Sequence, residues 1–284
     1  MSAQSSPNRL ILFAGYNANA GAIRRSDIEL IRELSRFGDV HCWYDNNSIA
    51  DESLSAIQEY AASISVGRHG QYDFGSWKYL YQKFTGDQLD AYDELVLTNN
   101  SLLLLHKLDQ MFADRSSRAE DFFAPLLLDE DYPGPDAFIE DYENNYDRHT
   151  RSVMYASIFW SLRRNLFRSD LFENFINTIQ TEDSRLDVCH KYERGFSRRL
   201  WRNNISTTTL FPRMFHHVAL YTEDAFLLPS LGFPFIKYKA LQQDFFDIPD
   251  IRARSEALMR RTHADYRGML KDALSEYANL GDLK

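Results

Sequence analysis

Leu10-Ile11-Leu12-Phe13-Ala14 is the stretch from which the fold is read. An unbroken apolar run this short, closed at once by Gly15, describes a strand buried on both faces. A polar loop runs from Gly15 to Arg25. Ser26 then opens a helix with Glu29 three positions on, the spacing of a capping box. Ile28, Ile31, Leu34 and Phe37 give that helix its apolar stripe, and Gly38 ends it. Val40 to Tyr44 reads as a second strand and Asp45-Asn46-Asn47-Ser48 as a turn. A helix from about Asp51 to Ala61 leads to a third strand at Ile64-Ser65-Val66. This alternation predicts an α/β fold with a mostly parallel central sheet and right-handed crossovers.

Open parallel sheets bind ligands beyond the carboxyl ends of their strands. Past the third strand lies Tyr72-Asp73-Phe74-Gly75-Ser76-Trp77-Lys78. Asp73 there is suited to accept hydrogen bonds from a base, a ribose or a sugar hydroxyl, and Gly75 lets the backbone approach a ligand. The competing structural reading makes Asp73 or Ser76 a helix N-cap and Trp77 a core residue. A fourth strand, Glu94 to Thr98, ends in Asn99-Asn100-Ser101, which is either a second site element or a turn. A helix is expected over roughly Leu104 to Phe112, and a strand at Phe122 to Leu127.

Beyond an acidic block from Asp129 to Asp147, read as a solvated loop, the pattern changes. Ser152 to Leu162 has strand composition and ends at Arg163-Arg164-Asn165. Ser169 caps a helix bearing Phe172, Phe175, Ile176 and Ile179. A helical stretch from about Glu182 to Trp201 carries Tyr192-Glu193-Arg194, with Gly195 as its expected kink. Ser206 to Phe211 is strand-like, prolines make 228–237 irregular, and Ile251 to Leu280 is helical. With no repeat and no linker, residues 1–250 read as one domain. Residues 251–284 read as a helical extension packed on it, a candidate for oligomer packing or peripheral membrane contact.

The formal net charge of -9 argues against nucleic acid as a partner. Cys42 and Cys189 lie far apart without metal-ligand spacing, which predicts a reduced, cytoplasmic protein. The amino terminus lacks an apolar signal core, and no apolar run reaches membrane-spanning length.

Several segments together resemble the rhamnan synthesis protein F family. Tyr72 to Lys78 is similar to its "GYDFGSWK" signature, and Tyr92 to Ser101 to "YDxVLLTNDS". Asp121-Phe122-Phe123, Phe159 to Phe175, Tyr192-Glu193 with Ser197, and Gly232 to Lys237 follow in the family's order. The resemblance implies a GT-A-like fold in a single domain. It further implies a glycosyltransferase that moves a sugar, rhamnose by family analogy, from a nucleotide-sugar donor. The acceptor implied is a glycan or lipid-linked glycan of bacterial surface polysaccharide or lipopolysaccharide. The departures are specific. Gly67 to Gln71 replaces an Arg-x-Asn-x-Gly pattern, Asn100 stands where the family has an acid, and Met154 to Phe159 lacks the family's His and Gln.

Sugar transfer needs the donor held, the leaving diphosphate stabilised and the acceptor hydroxyl deprotonated. On the resemblance, Asp73 serves the donor, with Tyr72 and Gly75 beside it, and Glu193 is the base. Asn99, Asn100 and Ser101 face the diphosphate or sugar. Lys78, Arg163, Arg164 and Lys237 are the candidate cations. A neutral Asn100 is a poor ligand for Mg²⁺ or Mn²⁺, so weak or absent metal dependence is expected and no tightly bound cofactor is called for. The alternative function is a catalytically inactive glycosyltransferase-like subunit that binds or scaffolds in the same assembly system.

Overall fold

The computed structural model describes residues 7–18, 21–130, 153–242 and 250–262. β1 (Arg9–Gly15) lies inside a seven-stranded sheet in the order β10-β6-β9-β4-β1-β2-β3. Its neighbours β2 (Asp39–Tyr44) and β4 (Glu94–Asn99) run parallel to it, as β3 (Ser63–Val66) does to β2. β6 (Phe122–Ala124) and β10 (Thr207–Thr209) pair in parallel on the far side. β9 (Phe159–Arg163) runs antiparallel between β4 and β6. The sheet is therefore mostly parallel, as the alternating pattern predicts.

The apolar run at 10–14 is fully buried because each face of β1 meets its own core. Ile11 and Phe13 join the layer formed by helix Arg25–Leu34, Val40, Cys42 and Val96. Leu10, Leu12 and Ala14 join the layer with Trp77, Leu80, Leu95, Leu97 and Trp160. The period-two alternation of a strand decides which side chain enters which layer. Helix Tyr72–Tyr81 covers the second face, and helix Asp170–Asn177, capped by Ser169, packs beside it. Two small pairings complete the fold. β7 (Leu127–Asp129) lies between β8 (Met154–Tyr155) and β11 (Met214–His216), and β12 (Phe235–Lys237) pairs antiparallel with β5 (Leu102–Leu104).

Some local expectations are corrected. Ser26 does not cap its helix, which begins at Arg25; its hydroxyl instead meets that of Tyr238. Leu102 to Leu104 form β5, and the expected helix starts later, at Asp109, because Pro234 and the β12 strand pair with this segment. Pro125 splits the Phe122–Leu127 run into β6 and β7, since it cannot donate to a ladder. Asp129 belongs to β7 and is fully buried, so the acidic loop does not begin there; residues 131–152 lie outside the described part. The interruption in Glu182–Trp201 is a π-helical turn, Cys189–Glu193, and not a kink at Gly195. Helix Ile251–Thr262 begins the C-terminal extension and contacts the body; residues 263–284 lie outside the described part. Among the described residues no helix is long and apolar enough to cross a membrane.

Candidate functional site

The carboxyl edge of β2, β3 and β4 is shaped by Asp45. This buried carboxylate accepts hydrogen bonds from the backbone N–H of His69 at 2.6 Å and of Gly70 at 3.2 Å. It thereby holds the 67–71 loop against the sheet. His69 Nδ1 accepts from the Gln71 N–H, so its other nitrogen carries the proton toward Ser76 Oγ, 3.0 Å away. Burial lowers the pKa of His69, which favours this neutral form. The loop delivers helix Tyr72–Tyr81, whose N-cap residue is Gln71 and whose start has no side-chain cap. Neither Asp73 nor Ser76 is an N-cap. Trp77 Nε1 donates to Thr98 O at 2.9 Å, tying the helix to the end of β4.

Asp73 sits between buried Phe74 and exposed Tyr72, and Tyr72 holds a left-handed φ of 56°. A non-glycine residue in that region is strained, and such strain clusters at ligand sites. Gly75 has a different use from close ligand approach. A Cβ there would lie 2.4 Å from Gln71 Cβ and 2.7 Å from His69 Cε1, so its missing side chain makes room for the loop.

Glu193 ends the π-helical turn, a feature common at functional sites. Its Oε1 accepts from Ser157 N–H at 2.7 Å, while Ser157 O accepts from Asn99 Nδ2 at 3.2 Å. Asn99 Oδ1 accepts in turn from Ser101 N–H at 3.0 Å, and Ser101 O accepts from Tyr238 N–H at 2.9 Å. The preceding residue, Lys237, pairs across with Leu102. Glu193, Asn99, Ser101 and Lys237 thus share one hydrogen-bonded rim where β4 ends.

Electrostatics join Asp73 to this rim. Burial pushes its carboxyl up to about 6, with Glu193 and Asp45 adding to the rise and Lys237 and Arg185 opposing it. Lys237 loses stability of its charge by burial, but Tyr221 and Glu193 outweigh that and hold the ammonium above its ordinary value. Its Nζ lies 5.2 Å from the centre of the Tyr221 ring, a cation–π distance. Tyr221 is raised by burial but brought below its ordinary value by Lys237 and Arg185. Arg185 reaches in from an exposed position beside Tyr221, Cys189 and Asp73. Sequence reasoning missed Arg185 and Tyr221: neither lies in a recognisable motif, and only the chain's return at 185–193 and 219–221 brings them here.

Other predicted residues are not brought together. Arg163 stands in register opposite Glu94, and Arg164 lies across from Asp93, at the amino end of β4 and the opposite end from Asn99. Arg163 donates to Arg118 O and Arg164 to Tyr92 O and Asp93, because antiparallel β9 carries its own carboxyl end away from the site. Lys78 Nζ donates to Ile179 O at 2.6 Å and closes the turn after helix Asp170–Asn177. Asn100 is buried and committed. It accepts from Tyr16 N–H, and its Nδ2 donates to Tyr16 O and to Asp27 Oδ2, the last at 2.9 Å.

That last contact carries a prediction. Asn100→Asp sets a carboxylate against the buried Asp27 carboxylate and removes two donated hydrogen bonds. We expect a loss of about 2–4 kcal/mol at pH 7, measured by chemical denaturation, with recovery as pH falls toward about 4, because the paired carboxylates raise the pKa of one acid and it protonates first. An unchanged midpoint at pH 7 would contradict the assigned contact.

The residues at the strand end do not fit a divalent cation. The Asn100 amide is consumed, the Asp45 carboxylate is held by the His69 and Gly70 N–H groups, and Asp73 and Glu193 lie beside Lys237 and Arg185. Among the described residues no group of three His, Cys, Asp or Glu is placed to hold a metal ion.

The chain belongs to the rhamnan synthesis protein F family, whose model matches residues 44–270. No curated protein matches it. Among solved structures it is similar to the glycosyltransferase GlyE of Streptococcus pneumoniae, with 14% identity and a TM-score of 0.48 over 96% of this chain and 64% of that one. The chain thus spans less than two thirds of GlyE. It is also similar to a Desulfovibrio desulfuricans protein described as a nucleotide-diphospho-sugar transferase, with 15% identity and a TM-score of 0.41 over 90% and 99% of the two chains. A third is the core-mannan synthase of Aspergillus fumigatus in its Mn/GDP form, with 12% identity and a TM-score of 0.35 over 70% and 71%.

Proposed function

We propose that this chain transfers a sugar, with rhamnose the candidate its family name suggests, from a nucleotide-diphosphate donor to a glycan or lipid-linked glycan during surface polysaccharide synthesis. The observation that supports this is the convergence of Asp73, Glu193, Lys237 and Arg185 at one strand edge. Asp73 accepts a donor hydroxyl, with Tyr72 and the Asn99–Ser101 rim beside it. Lys237 and Arg185 take the negative charge that develops on the leaving diphosphate, a task a metal performs elsewhere. Glu193 receives the acceptor proton on the oxygen not engaged by Ser157.

A thermal-shift screen over nucleotides and nucleotide sugars, with EDTA or Mn²⁺, finds the donor. EDTA is expected to leave donor binding intact. In the Asp73→Asn variant, titration with the best donor is expected to show roughly ten- to a hundredfold weaker binding at pH 7.5, the cost of a charge-assisted hydrogen bond. The same variant should gain stability above pH 6. The Asp73 carboxyl is raised in the folded chain, so native stability falls as pH climbs from its ordinary range through about 6, and asparagine escapes that loss. Equal affinities in the two proteins would detach Asp73 from the donor.

A second reading, a binding or scaffold subunit without turnover, is favoured by Asn100, whose amide is wholly engaged in structure. Donor binding without product in a single-turnover assay, over a panel of acceptors, would support it.

A further inference from the structure

The end of the sheet opposite the candidate donor site gathers Arg9, Arg115, Arg118 and Arg163. Glu94, at the start of β4, is shared between Arg9 Nε at 2.6 Å and Arg115 Nε at 2.5 Å. The remaining bonds of the outer arginines reach neutral groups. Arg115 Nη1 donates to Glu120 O at 2.8 Å, Arg163 Nη2 to Arg118 O at 2.5 Å, and Arg118 Nη1 to Thr208 Oγ1 at 2.9 Å. Three further guanidinium nitrogens, Arg115 Nη2, Arg118 Nε and Arg163 Nε, are buried with no acceptor. Arg115 is 1% exposed, so water does not solvate it from outside.

Buried charged donors without partners are costly, and three on neighbouring side chains exceed what ordinary packing leaves. Among the described residues neither Arg118 nor Arg163 has a carboxylate within 4 Å. The carboxylates nearby are Glu94, already shared, Glu120, which supports Arg115 from a distance, and Asp121, which accepts from Ser206 Oγ. Arg118 and Arg163 are half-buried, so other atoms of these two side chains reach solvent at the edge of the cluster.

We propose that Arg115, Arg118 and Arg163 form an anion site, distinct from the donor edge, that takes a small phosphoryl dianion such as inorganic phosphate. Three guanidinium groups offer more donors than the two oxygens of a carboxylate satisfy, whereas a phosphoryl group presents several oxygens to planar forks. The site stands apart from the donor reading and shares no residue with it.

The test is calorimetric titration of the whole chain with inorganic phosphate at low ionic strength. The variants are Arg118→Gln, Arg163→Gln and, at the donor edge, Lys237→Gln. Arg118→Gln gives up a single side-chain bond to Thr208 and is the variant expected to keep its fold, checked by an unchanged circular dichroism melt. The expected result is saturable binding that weakens roughly tenfold or more in Arg118→Gln and in Arg163→Gln and persists in Lys237→Gln. Binding lost only in Lys237→Gln would assign the phosphate to the donor edge and overturn the proposal. Affinity unchanged in folded Arg118→Gln, or no saturable binding to the native chain, would overturn it equally.

Discussion

Glu94→Ala is expected to destabilise the chain by about 3–5 kcal/mol, because it leaves two buried guanidinium groups without their shared counter-charge. For a chain of this size that is a fall of about 5–8 °C in melting temperature. Arg9, Arg115 and Ser161 all direct donors at this carboxylate. Burial alone would raise the Glu94 carboxyl, but Arg115, Ser161 and Arg9 outweigh it and hold it below its ordinary value. A depressed carboxyl adds stability that is complete above its unfolded-state value and is lost as pH falls through the folded one. The deficit of Glu94→Ala should therefore be largest at neutral pH and narrow as acid protonates the native Glu94. Glu94→Gln should show most of the same loss, since it keeps the shape and removes the charge. A melting temperature within two or three degrees of native for Glu94→Ala would show that the two arginines find other partners.

Lys237→Ala is expected to lower turnover by roughly 10²- to 10³-fold, the scale seen when one preorganised group that meets developing charge is removed. Lys237 stands at the carboxyl end of β12, over the Tyr221 ring, with its charge acting on Asp73. If it serves the leaving diphosphate, kcat falls more than donor affinity, because the charge it meets grows in the transition state. Lys237→Arg should recover part of the rate. A second readout comes from Asp73. Lys237 and Arg185 hold its carboxyl down against burial, so losing Lys237 moves it further above 6. The acid limb of the pH–rate profile then shifts to higher pH. A variant with native turnover and a native profile would remove Lys237 from the reaction and shift the assignment to Arg185.

The two predictions probe groups near opposite ends of β4, and antiparallel β9 shows why the two ends differ. Read as a line of residues, Arg163-Arg164 follows an apolar strand just as Asn99-Asn100 does, and both runs look like strand-end ligands. Direction distinguishes them. Asn99 closes a strand that runs with β1, whereas Arg163 closes one that runs against it. Whether a strand enters the sheet parallel or antiparallel depends on the path between strands, and residues near its end do not encode that path.

Lys78 and Gly75 illustrate a second limit. Each lies in the distinctive Tyr72–Lys78 stretch, yet one seals the turn after a neighbouring helix and the other admits a loop. A motif marks where a helix must sit closely on a sheet end, and only some of its side chains then face the opening.

The sequence by itself determined the α/β class, the succession of β1, β2, β3 and β4 along the chain, and the family. These rest on periodicity and local pattern, which are properties of neighbouring residues. The tertiary structure alone decided that Asp73, Glu193 and Lys237 share one edge, that Arg185 and Tyr221 join them, and that Asn100 is spent on Asp27. The reason is physical. A pKa shift, a buried amide and a counter-charge arise from groups far apart in the chain, whose proximity is settled by packing over the whole sheet.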